Sequence, residues 1–166
     1  MKHSRLALAV SLLAFSGLAM AQQPAKPAVK PAVTQQQALT PEQQAQVVRQ
    51  DAEMGKAAAQ VVQMVDQART AEVWEGASAV AKRVVSKDNF VAQIAADRAK
   101  LGAVAERKQV AVTRAAYAAG GEVPAGNYIN VVFATKFANM AQPVRELVSF
   151  HLDDDKTWRV SGYSVR

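Results

Sequence analysis

"GNYINVVFATKFANMAQPVRELVSFHLDDDKTWRVSGYSVR", residues 126–166, decides the fold. Ile129, Val131, Phe133, Thr135 and Phe137 alternate with Tyr128, Asn130, Val132, Ala134 and Lys136. That is the period of a strand with one buried face. Val144, Glu146, Val148, Phe150 and Leu152 repeat it against Arg145, Leu147, Ser149, His151 and Asp153. In the closing stretch, alternation puts Trp158, Val160 and Gly162 on one face and Arg159, Ser161 and Tyr163 on the other. Short polar connections, "ANMAQP" and "DDDK", join these strands into an antiparallel meander. Upstream, "VAVTRAAYA" is β-branched and aromatic, and the turn-dense "AGGEVPAGN" follows it, adding a fourth strand.

The residues before the strands carry a helical period. Thr40, Pro41 and Gln43 have the spacing of a capping box with proline at the first helical position. Val47, Asp51, Met54, Ala58, Val61, Val65 and Ala68 then recur at steps of four and three, one face of a helix running to about Ala68. Arg69–Thr70 reads as a break, and Ala71 to Val84 as a second helix. Ser86 caps a third, with Phe90, Ile94 and Leu101 on its apolar side and Gly102 at its end. Helices followed by antiparallel strands define an α+β domain. The expected architecture is three N-terminal helices packed on one face of a curved four-stranded antiparallel meander sheet.

The acidic run Asp153–Asp155 reads as a solvated hairpin turn, because aspartate side chains bond nearby backbone. Consecutive carboxylates diverge, and no further oxygen ligand follows at calcium-loop spacing, so no metal is expected. His151, the sole histidine besides His3, has Ser149 and Asp153 two residues away on its own face. Those Cα atoms are about 6.6 Å apart along a strand, and no serine lies in a nucleophile-elbow motif, so a structural role is expected. Glu146 stands out more, as a carboxylate on an otherwise apolar face. An unpaired charge there is costly, so it calls for a partner, Arg98 or Arg107. The other readings are a polar group lining a ligand pocket and an edge position reaching water. Trp74 and Trp158 are core aromatics or pocket walls.

Composition narrows function further. The chain has no cysteine, which excludes disulfides and cysteine-based zinc, iron–sulfur and thiol chemistry. The net charge of +6 suggests nucleic acid at first sight. However, Lys2, Arg5, Lys26 and Lys30 precede the domain, and without them it is nearly neutral. Nucleic-acid binding is therefore not expected. The first 21 residues have the form of an export signal: basic "MKHSR", the short apolar run "LALAVSLLAF", and a small-residue ending at Ala19 and Ala21. Cleavage after Ala21 would place the protein in the periplasm or outside the cell, with no stable membrane span. Residues 22–40, rich in proline, glutamine, alanine and lysine, read as an extended disordered spacer. Residues 41–166 form the single domain.

An ordered set of residues resembles the bacterial envelope family called domain of unknown function 4019. It comprises Trp74; Arg98, Leu101, Gly102 and Arg107; Pro124, Gly126 and Tyr128; Phe133, Thr135 and Phe137; and Trp158, Arg159, Val160, Gly162 and Tyr163. The resemblance covers roughly Ala57 to Val165. Lys156 stands where that family's hairpin turn usually has a glycine. The resemblance implies a nuclear-transport-factor-2-like (cystatin-like) α+β roll with a conical cavity, and it implies no catalytic residues and no cofactor. Three readings follow. The first is a non-catalytic module binding an envelope protein or small ligand. The alternative is a pocket enzyme of the isomerase or hydratase type with Glu146 as general base. The third is a homodimer serving a larger assembly.

Overall fold

The computed structural model describes residues 39–166. The expected export signal and nearly all of the expected spacer lie outside them. The elements are α1 (Pro41–Asp66), α2 (Thr70–Glu75), α3 (Ala79–Val84), α4 (Lys87–Ala99), β1 (Val104–Tyr117), β2 (Gly126–Phe137), β3 (Val144–Leu152) and β4 (Trp158–Val165). The strands form one antiparallel sheet in the order β1-β2-β3-β4. Among the described residues no helix is long and apolar enough to cross a membrane.

The capping box forms as the spacing predicts. Thr40 Oγ1 accepts from Gln43 N and Gln43 Oε1 accepts from Thr40 N. The α1 face buries Met54, Ala58, Val61, Val62 and Val65. These pack with Val73, Phe90 and Ile94 against Ile129, Val131, Phe133, Val148 and Phe150 of the sheet. Asp51, the polar exception on the predicted face, pairs with Arg114 of β1 at 2.7 Å. A smaller cluster of Leu101, Phe137, Val144 and Val165 fills the other end of the same face.

The expectation of three helices is corrected to four. The stretch read as one helix, Ala71 to Val84, breaks at Gly76-Ala77-Ser78. Ser78 is fully buried and its backbone N–H donates to Val160 O of β4 at 2.8 Å. Its hydroxyl accepts from Ala81 N and so caps α3. A serine that caps one helix and pairs with a sheet edge cannot lie inside another. Consequently α3 sits at the β4 edge, and its Val80 and Ala81 reach the sheet's outer face. The helices therefore do not all pack on one face.

Three bulges set which side chains face the helices. Ala105 and Val110 are extra residues in β1, and Ser161 is extra in β4. Each inverts the alternation beyond it. Tyr163 therefore lies opposite Val148 on the helix-facing side. The simple alternation from Trp158 had assigned it to the outer face. The bulge at Ala105 likewise sets Arg107 opposite Thr135 on that side.

Candidate functional site

Glu146 is fully buried, with 0% of its surface exposed. Both predicted arginines reach it. Arg107 donates to Oε2 from Nε at 2.6 Å and to Oε1 from Nη2 at 3.2 Å. Arg98 Nη1 donates to Oε1 at 3.2 Å. Thr135 Oγ1 donates to Oε2 at 2.7 Å and Tyr163 Oη to Oε1 at 2.6 Å. A carboxylate offers about four lone-pair sites, so this one is saturated.

Asp66, at the end of α1, closes the constellation. Its carboxylate accepts from Arg98 Nη2 at 2.6 Å and from Arg107 at 2.7 and 3.0 Å. Two carboxylates and two guanidiniums thus form a ring, and Arg98 also lies 4.7 Å above the Phe137 ring. Asp66, Arg98, Arg107, Thr135, Glu146 and Tyr163 come from α1, α4, β1, β2, β3 and β4 in turn, so the ring ties two helices to every strand. Burial pushes the Tyr163 phenol above its ordinary value, and the adjacent Glu146 carboxylate adds to this. Burial would raise the Asp66 carboxyl, but Arg107 and Arg98 outweigh it and hold Asp66 below its usual range.

The acidic run forms the β3–β4 turn. Asp153 N donates to Thr157 O and Lys156 N to Asp153 O, with Lys156 in the left-handed region at φ 64°. The carboxylates diverge to different partners. Asp155 pairs with Arg159 at 2.7 Å, and Asp153 bridges Arg159 at 3.0 Å and His151 Nδ1 at 2.8 Å. The His151–Asp153 bond, which spacing alone left unassured, is therefore made. Ser149 is not part of it, since its hydroxyl donates to Asn130 Oδ1 at 2.7 Å. His151 is buried edge-on against Tyr128.

Trp74 packs on the core, donating Nε1–H to Val85 O at 3.2 Å. Trp158 also packs on the core and walls a cavity of about 400 Å³ that opens between α1 and the sheet, with Gln50, Arg114, Ile129 and Leu152. A second cavity, about 390 Å³, lies on the outer face beneath α3 and the β1–β2 loop. A third, about 540 Å³, surrounds the acidic turn and His151. Glu146 lines none of these three. Sequence reasoning named Arg98 or Arg107 as the partner of Glu146, and the structure brings both to it; it did not name Asp66, Thr135 or Tyr163 as companions. The glycine after Ser161 was the available sign of a bulge. The outer cavity was missed because it depends on the split of α2 from α3.

Residues 57–163 match the family described as protein of unknown function, DUF4019. The chain belongs to that family. No protein with a curated description matches it.

Proposed function

We propose that this member of the family is an exported, non-catalytic binding module of the bacterial envelope, built as a nuclear-transport-factor-2-like roll. Its ligand surface is the outer face of the sheet. One observation carries the reading: every acceptor site of Glu146 is occupied by protein donors, and Glu146 is walled off from the cavities. A general base must have a lone pair within reach of substrate, and Glu146 has none to offer. The polar ring reads instead as the frame that fixes the sheet's shape, leaving the outer cavity to do the binding. The export reading rests on the residues before Gln22, and the intact mass of protein from the envelope fraction should begin there.

A thermal-shift screen of small molecules tests the function, with each hit then incubated with protein and analysed by mass spectrometry. Hits should survive unchanged and be lost when Gly162→Leu fills the outer cavity. A hit that is consumed, with consumption lost in a folded Glu146→Gln variant, would establish the pocket-enzyme alternative.

A further inference from the structure

Three of the large apolar side chains exposed on the domain, Val84, Tyr117 and Val123, meet at the outer cavity. Leu147 and Tyr128 extend the apolar wall inward, and the floor carries neutral polar groups, the Asn130–Ser149 pair and Thr113. The buried Ser161 hydroxyl in the same wall has no hydrogen-bond partner. Exposed apolar residues gathered at one concavity mark a binding site more than scattered ones do. About 390 Å³ is near the lower end for small-molecule sites.

Charge is confined to one end. Arg145 lines the cavity there. It sits in a cross-strand row, with Lys108 paired to Ala134, Ala134 to Arg145, and Arg145 bonded through its backbone to Arg166. Lys108, Arg145 and Arg166 therefore share the outer face. Arg145 is exposed, and among the described residues its side chain forms no ion pair with a carboxylate side chain. Its guanidinium fork suits an anionic oxygen head.

We propose that the outer cavity binds a single-chain anionic amphiphile, its apolar chain between α3 and the sheet and its head on Arg145. The assignment rests on the binding-module reading and adds the ligand class. A carboxylate and a phosphate head share this chemistry, so both are tested.

Calorimetric titration of the exported protein uses decanoate, decyl phosphate and decanol, all below their micelle concentrations. One anionic probe should bind at one-to-one stoichiometry, and the tighter one identifies the head. Shortening its chain should weaken binding about fourfold per methylene. Arg145→Gln, an exposed and foldable change, should weaken the anion roughly tenfold and leave decanol unaffected. Val84→Asp at the rim should weaken all three. Decanol binding as tightly as the anions, or Arg145→Gln without effect, overturns the proposal. Neutral Nile red separates the two levels. Dye bound by wild type, lost in Gly162→Leu, yet not displaced by either anion would reject the ligand class and keep the binding surface. No binding of dye or amphiphile would reject both.

Discussion

Tyr163 Oη donates a 2.6 Å hydrogen bond to Glu146 Oε1, and the extra residue Ser161 puts it there. Val160 pairs with Phe150 and Gly162 with Ser149, so β4 gains one residue between them. Without that gain the phenol would turn to the outer face and Glu146 would lose a donor. Tyr163→Phe removes only the hydroxyl and should cost about 1–2 kcal/mol. Deleting Ser161 moves Tyr163 and Val165 together and should cost more. Urea denaturation of both variants checks the order; equal costs would mean that the bulge does not set the phenol's place.

Glu146→Gln should destabilise the domain by roughly 3 kcal/mol, the lower end for breaking a buried ion pair. The lower end applies because Asp66 still pairs with both arginines, leaving one positive charge rather than two uncompensated. Arg107→Met should cost less in the Glu146→Gln background than in wild type, by at least about 1 kcal/mol. Additive costs in this cycle would show that the pair is not coupled.

The same ring contributes to both pH limits of stability, beside Tyr128 on the alkaline side and Asp153 and Asp155 on the acid side. The Tyr163 phenol is raised in the folded state, so its contribution is complete below the unfolded value near 10 and is lost as pH rises above it. Asp66 is depressed, so its contribution is present above the unfolded value near 4 and is lost as pH falls below it. Tyr163→Phe should flatten the alkaline limb of a stability–pH profile, and Asp66→Asn the acid limb. A wild-type profile flat between pH 9 and 11 would contradict the first assignment.

Much of this was legible in the sequence. A carboxylate interrupting Val144, Val148 and Phe150 pointed to a cation, with Arg98 and Arg107 as candidates, while the pocket and edge readings stayed open on sequence alone. The Asp153–Asp155 turn followed from the alternation holding up to it on both sides. The bulges at Ala105 and Val110 were not legible, and Gly162 was only a weak sign of the one at Ser161, because one inserted residue leaves composition untouched while moving every later side chain to the other face. Helix α3 was hidden for a related reason. Ala79–Val84 is apolar enough to continue α2, and only the pairing of Ser78 with β4 separates them.

Lys156 holds the turn in the left-handed region, where a side chain costs about 1 kcal/mol or more. Lys156→Gly should therefore stabilise the domain by about 1 kcal/mol, less the backbone entropy that glycine adds to the unfolded chain. The melting temperature should rise by roughly 2–4 °C. A fall would show that Lys156 makes a stabilising contact in the turn.

The final prediction concerns Gly126, where β2 begins. Its φ is 143°, a conformation that residues with a Cβ rarely adopt, and a Cβ built there would run into His151 Nε2. His151 cannot swing aside freely, since Asp153 holds Nδ1 and Tyr128 packs against the ring. Gly126→Ala therefore faces two separate penalties, backbone strain and a clash, and should cost about 3 kcal/mol together. His151→Ala relieves only the clash. In that background Gly126→Ala should still cost about 1–2 kcal/mol, the backbone share. Thermal melts of the two single variants and the double variant measure both parts. Full rescue in the double variant would show that the strain is negligible and the histidine alone requires a glycine. No rescue would show that the His151 ring does not occupy the space above Gly126.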